Sequence, residues 1–445
     1  MILSNVPKNI IYKKRRKRQM RITRTLSVIF FAAVFLSFLS TSAHSQPKEI
    51  VIGGIWPLTG PNAATGVECV NGCKLAMEII NEKYALDLPL AKTAGLPNLG
   101  GAKIRMIFAD HQNVPEKAMG EAERLITQEK VSALIGCYIS GVTAPASQAA
   151  ERRKIPFMNA DAIAPALVKR GFKWFFRVTL DYEMWFQNYM WNHFTPDVEK
   201  KKGITIRNPI FLHENTLAGV EVAKYGIDSA KKYGIQPLTE IVYPPRSTSV
   251  SSEVTKLKMF EGKHDLIVWG AYTADGILFM KTFYDMNFNP EMIWIGGGCR
   301  EPAFLEALGK KAEYILQIDE FSVDMGDRRP LVRQVNDLYK KRFGVDLNTN
   351  SARNFMGVII LADAINRAGS TDPEAIRKAL LATRIPKEQC ITSWEGVEFD
   401  PGNGLNTKAS MMILQVQEGK WRLVWPFDVA AKEVVWPMPK WSDRK

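Results

Sequence analysis

From Glu49 onward the chain repeats one rhythm: a short apolar run, a loop of small and polar residues, then a longer segment with apolar positions three and four apart. "EIVIGGIWPL", "KIRMIFAD", "VSALIGC" and "IPFMNAD" are predicted as buried strands. Between them, "TGVECVNGCKLAMEIINEKY", "PEKAMGEAERLITQEK" and "APASQAAERRK" predict helices, with Leu75, Ile79 and Ile80 in the core and Pro115 at a tolerated first-turn position. Strands alternating with helices at this spacing require right-handed crossovers and a parallel sheet covered on both faces. After an aromatic-rich junction, "FKWFFRVTLDYEMWFQNYMWNHF", the rhythm restarts. Strands are predicted in "RNPIFLHE", "QPLTEIVYP", "DLIVWGAY" and "EMIWIGGG", with helices in "LAGVEVAKYGIDSAKKYG" and "DGILFMKTFYDM". Two α/β units in series predict two lobes.

After Gly298 the pattern is helical, in "RPLVRQVNDLYKKRFG", "NFMGVIILADAINRAG" and "DPEAIRKALLAT". Turn signals at Asp400 to Gly404 and at Glu418–Gly419 then predict a terminal antiparallel ribbon. The stretch "ALDLPLAKTAGLPNLGG" has no period and is punctuated by Pro and Gly, which predicts a surface loop.

The net charge of +13 points to nucleic acid or an anionic membrane until its distribution is considered. Nine of the 59 Lys and Arg lie in the first 24 residues, and they are followed by the apolar run Leu26 to Leu39 and the small residues "STSAHSQ". A basic segment, a short apolar run and a small-residue tail are the parts of a cleavable signal peptide, assigned to residues 1–45. Its removal leaves a balance of +4 against 46 Asp and Glu, so the nucleic-acid reading lapses. No Cys stands near the cleavage site, which argues against a lipid anchor.

An exported, oxidising compartment permits one or two disulfides among Cys69, Cys73, Cys137, Cys299 and Cys390, with the pairing open. The five His are scattered and no CxxC occurs, so neither a metal site nor another cofactor is expected.

In open parallel sheets a ligand lies beyond the carboxyl ends of the strands. That rule selects the loops "WPLTGPNAATG", "ADHQN", "CYISGVT" and "NADAIAP" in the first unit and "HENTLAG", "GAYTADG" and "GGGCREP" in the second. Enzyme signatures are missing: no GxxxxGK[ST], no GxSxG, and Leu217 where HExxH needs a second His. His213 beside Glu214 has the make-up of a general base, but a lone His at a strand end is as a rule hydrogen-bonded structure. Cys299 has no His near it in sequence to activate it. Ser140 and Thr143 stand just before a predicted helix, where hydroxyls and free N–H groups suit a carboxylate; a plain N-cap is the other reading.

These residues resemble a family, the periplasmic solute-binding proteins of ABC importers, branched-chain amino acid type. The motifs are "IGGIWPLTGPNAATG", "GCKLAMEIIN", "GCYISGVTAPAS", "IPFMNADAIAPALVKRG", "FFRVTLD" and "SWEGVEFDPGNG", in family order over about residues 49 to 430. The resemblance implies a type I clamp of two Rossmann-like lobes with parallel-sheet cores, joined by three crossovers near Thr179, Ile318 and Ser393. Lobe 1 is then 46–179 with 319–392, and lobe 2 is 180–318 with 393–445. A small solute would sit between the lobes of a periplasmic monomer, and the closed form would dock on a membrane permease.

Carried over residue by residue, Ser140 matches the hydroxyl that takes a ligand carboxylate, with Gly141 and Thr143 beside it. Ala162 matches the facing loop, and Tyr272 a second-lobe aromatic. Trp56, Leu58 and Tyr138 are further walls, Tyr182 either faces the cleft or packs under the hinge, Arg300 is a candidate counter-charge, and Arg177 is structural at the crossover or reaches an acidic ligand. Three positions depart: Ile163 where the family has Thr, Ala218 where it has an aromatic, and Gly298 where it has the acid that pairs with a ligand ammonium. A buried ammonium without such a partner carries several kcal/mol of unrecovered desolvation. Either Glu301 or Asp161 substitutes, or the ligand is not an α-amino acid but an aromatic or aliphatic acid or a short amide. A clamp-fold sensor reporting to a regulator, or an exported two-lobe enzyme, are the alternative functions.

Overall fold

The structure, a computed structural model, describes residues 48–444. The signal peptide assigned to residues 1–45 lies outside the described residues, and among these no helix is long and apolar enough to cross a membrane.

Two sheets organise the chain. The first holds β1 (Glu49–Trp56), β2 (Lys103–Asp110), β3 (Ala133–Gly136), β4 (Phe157–Asn159) and β5 (Phe175–Arg177), in the order β2-β1-β3-β4-β5. Every pairing is parallel, and Ile52 on β1 aligns with both Met106 and Ala133. The second holds β6 (Pro209–Glu214), β7 (Thr239–Tyr243), β8 (Leu266–Gly270), β9 (Ile293–Ile295) and β10 (Leu316–Asp319) in parallel. The small ribbon β11 (Ile385–Pro386) and β12 (Gly396–Val397) stands apart, whereas β13 (Met412–Gln417) and β14 (Lys420–Trp425) extend the second sheet antiparallel. Their hairpin turns at Glu418 and Gly419, both left-handed at φ 60° and 71°, which is the twist a two-residue turn needs. Parallel strands covered on both faces read as unbroken apolar runs, and every residue of β6 and β8 is buried.

The helix Thr349–Ala368 returns from the far end of the sequence to pack on Ala63–Asn81 beside the first sheet. Gly72 permits the approach, since a Cβ there would lie 2.1 Å from the Ser351 carbonyl oxygen. The junction between the sheets starts as a short α turn, Tyr182–Trp185, whose N-cap Asp181 accepts from the Met184 N–H at 2.9 Å. It continues as the π-helix Phe186–Phe194, which buries Phe186, Met190, Trp191 and Phe194. The wider π turn brings large rings to one side, where Phe186 and Trp185 pack on Trp294 at 5.6 and 5.9 Å.

Three features differ from expectation. The aperiodic stretch after the first helix is not a bare surface loop: Leu86, Leu88, Leu96 and Leu99 are buried in the core. The helices Ser251–Lys258 and Pro302–Leu308 are too short to have carried a clear period. All five cysteines are free and buried, so no disulfide forms; Cys69 and Cys73 sit one helical turn apart.

Three stretches that run between the sheets meet at Glu320. Its carboxylate accepts from the Thr179 hydroxyl and from Trp394 Nε1 at 2.6 Å, and its carbonyl accepts from the Ser393 N–H at 2.7 Å. Arg353 supplies the counter-charge from the returning helix, with Nε 3.0 Å and Nη2 2.8 Å from the carboxylate.

Candidate functional site

Where the carboxyl ends of the two sheets face each other, the loops wall a narrow chamber. The first sheet contributes Tyr138 and Ser140 after β3 and Asp161 and Ile163 after β4. The second contributes Glu214 at the end of β6, Ala218 and Gly219, Tyr272 after β8, and Gly298 and Arg300 after β9. Tyr182 and Arg353 complete the wall. A wider outer cavity of about 730 Å³ shares Glu214, Ala218 and Tyr272 with it and adds Gly141, Arg246 and Asp275.

Ser140 is the first residue of the helix Ser140–Arg153 rather than its cap, a place held by Ile139. Its Oγ accepts from the Ala164 N–H at 3.4 Å, and the free N–H groups and dipole of a 14-residue helix favour an anion there. Tyr138 and Tyr272 meet edge to face across the chamber at 5.8 Å, and the Tyr138 hydroxyl is buried without a partner among the described residues.

Two buried acids face the chamber from opposite sheets. Asp161 Oδ2 accepts from Asn354 Nδ2 at 2.8 Å and lies 3.8 Å from Cys69 Sγ, whereas Oδ1 has no partner among the described residues. Burial pushes its pKa up to about 6, against the pull of Asn354, Arg353 and Arg300. Glu214 accepts from the Thr216 hydroxyl at 2.6 Å. Burial, with Asp275 beside it, pushes it up to about 7, and burial pushes Asp275 up to about 6. Both arginines of the wall are already matched: Arg300 Nε lies 3.0 Å from Asp319 and its Nη2 donates to the Ile318 carbonyl, while Arg353 pairs with Glu320.

Gly298 explains its own departure from the family pattern. Its φ is +69°, and a Cβ would stand 2.3 Å from the Ala271 carbonyl oxygen, so this backbone admits no side chain.

Of the expected residues, Tyr138, Ser140, Asp161, Ile163, Tyr182, Tyr272, Gly298 and Arg300 line the chamber. The others lie elsewhere. Trp56 is wholly buried against Phe108, and the Leu58 N–H donates to Asp110. Thr143 donates to the Ile139 carbonyl, the Ala162 N–H donates to Asn159 Oδ1, and Gly141 faces the outer cavity. Glu301 lies in the seam: its carboxylate accepts from the hydroxyls of Thr65 and Thr273 and from Asn350 Nδ2 at 3.2 Å. Further ties cross the seam. Arg246 donates to the Asn113 carbonyl at 3.2 Å, the Ala166 N–H donates to Glu221 at 3.2 Å, and Lys169 reaches Glu183 and Tyr225.

His213 is held by the Glu214 carbonyl at 2.9 Å and by Glu240 at 2.8 Å, the structural role expected of it. Burial pushes the Cys299 thiol well above its ordinary range, which leaves it inert as a nucleophile. Sequence reasoning missed Arg353 and passed over Glu214. The signal for Glu214 was a charge closing an otherwise apolar strand; for Arg353 there was none, because only the packing of a distant helix places it.

A cavity walled by paired loops of two parallel sheets is a place to enclose a small molecule, and known proteins of this shape do so. Two relatives from Brucella suis, Leu/Ile/Val-binding protein homologs 7 and 8, are 27% and 26% identical over 91% and 92% of this chain and 98% of each relative. A leucine-binding protein from Thermotoga maritima superposes with a TM-score of 0.71 at 21% identity, covering 84% of this chain and 97% of that one. A solute-binding protein from Rhodopseudomonas palustris, solved with benzoate, gives 0.68 at 16% identity over 84% and 95%. Residues 49–420 match the periplasmic binding protein family as a whole, and with its two facing sheets and the chamber between them the chain belongs to that family.

Proposed function

We propose that this protein is an extracytoplasmic receptor that captures a small carboxylate-bearing solute between its lobes and delivers it to an ABC import permease, with no covalent step. The observation that carries the reading is Ser140, which stands in the chamber wall at the N-terminus of a long helix, a position suited to a carboxylate. The solutes named for relatives of this shape, leucine and benzoate, share that group. Capture needs only that the solute contact both lobes and so favour the closed arrangement.

A thermal-shift screen of amino acids, aromatic acids, dicarboxylates and amides tests this. A true solute at 100 times its dissociation constant adds about 2.7 kcal/mol to stability. Absence of any carboxylate among the stabilising compounds, or conversion of a bound compound to product, would refute the reading.

A further inference from the structure

Resting on the reading above, we propose that the solute is a net cation: a small acid that carries two positively charged nitrogens, of the diamino or guanidino acid kind. The charges at the centre of the molecule do not balance without it. Arg300 is matched by Asp319 and Arg353 by Glu320, so neither guanidinium is free to neutralise anything else. The Glu301 carboxylate is occupied by two hydroxyls and an amide in the seam. Asp161 and the adjoining Glu214 and Asp275 are left, 5%, 3% and 6% exposed, with no contact ion pair among the described residues, Arg300 and Arg353 acting on Asp161 only from beyond contact.

Unpaired buried carboxylates are costly. A neutral amino acid brings one ammonium and one carboxylate and leaves the imbalance as it was; a monocarboxylate deepens it. A second protonated nitrogen offsets it, with one nitrogen at Asp161 Oδ1, which has no other partner, and the other at the Glu214–Asp275 side. Two further observations point the same way. The buried Tyr138 hydroxyl, also unpartnered and on the chamber wall, is an acceptor for an N–H. The chamber is walled by the rings of Tyr138, Tyr182 and Tyr272, whose faces attract cations. Burial raises the pKa of Asp161, Glu214 and Asp275, and a bound cation would act against that rise.

Titration calorimetry near neutral pH with L-ornithine, L-arginine, L-leucine, benzoate and 1,4-diaminobutane tests the inference. Ornithine or arginine is expected to bind at least about tenfold more tightly than leucine, and Asp161→Asn and Glu214→Gln are each expected to lose at least about tenfold of that affinity. Both variants should keep their circular dichroism and cooperative melting. Tightest binding of leucine or benzoate, or unchanged affinity for the basic acid in both variants, would overturn the inference while leaving the receptor reading intact. Diaminobutane binding as tightly as ornithine would instead remove the carboxylate anchor, and with it the acid part of both proposals. Heat from none of the five would count against the cationic class.

Discussion

Glu320 and Arg353 form a two-point ion pair in the interior, both residues 2% exposed or less. One end of the pair stands where three interlobe stretches meet; the other is part of the chamber wall. A solute that touches Arg353 therefore presses on the same charge that holds the connections between the lobes. Glu320→Gln leaves a guanidinium buried without its counter-charge and is expected to cost about 3–5 kcal/mol in denaturant unfolding. An unfolding midpoint equal to that of the unaltered protein would show that the pair is not holding the connections.

Ser140→Ala is expected to weaken carboxylate binding by about tenfold, the loss of one hydrogen bond to a charged group, while the melting temperature falls only slightly. The separation follows from the helix start: Ile139, not Ser140, is the cap residue, so removing the hydroxyl takes no cap away and leaves unmade only the long 3.4 Å bond from the Ala164 N–H. A fall in melting temperature with unchanged affinity would make the hydroxyl structural.

Restoring the family acid in place of Gly298 is expected to fail. Gly298→Glu must adopt φ +69° and place Cβ against the Ala271 carbonyl, so stability should drop by about 1–3 kcal/mol, with no gain in affinity for leucine. Calorimetry and thermal melting of the variant decide it; tighter leucine binding in a stable protein would contradict the geometry.

The pH dependence of stability in solute-free buffer should reveal the chamber acids. Asp161 and Asp275 rise from 3.8 to about 6 and Glu214 from 4.5 to about 7. The native form thus holds these protons more tightly than the unfolded chain. Their contribution is present in full below the unfolded values and is lost as pH rises through about 6 to 7. Glu68, Glu221, Asp265 and Asp319 are raised as well and act in the same sense, whereas buried His111, lowered, acts in the opposite one. Comparing urea midpoints of the unaltered protein and of Asp161→Asn plus Glu214→Gln isolates the chamber. The variant should lose less stability between mildly acidic and neutral pH, and parallel profiles would refute the assignment.

Much of this molecule was legible before its coordinates, for a physical reason. Buried parallel strands such as Ile267, Val268 and Trp269 in β8 must be apolar on both faces, and the loops that follow them must carry the polar work. Ser140, Asp161 and Tyr272 were accordingly within reach. What the pattern could not carry is whatever depends on distant segments meeting. Arg353 lies in an ordinary helical run until the helix packs beside the chamber, and the role of Glu301 is set by Thr65 and Asn350 in the opposite lobe. The leucines of the aperiodic stretch had no period to announce their burial, because an irregular backbone can turn any side chain inward.

The ties across the seam also fix a clock. Glu301 to Thr65 and Asn350, Tyr138 on Tyr272, Arg246 to Asn113 and Lys169 to Glu183 must all part for the lobes to separate. Capture from this arrangement is then paced by how often the lobes separate, not by how often solute collides with them. The observed association rate should level off as solute concentration rises, and a molecule once enclosed should stay until the same contacts break.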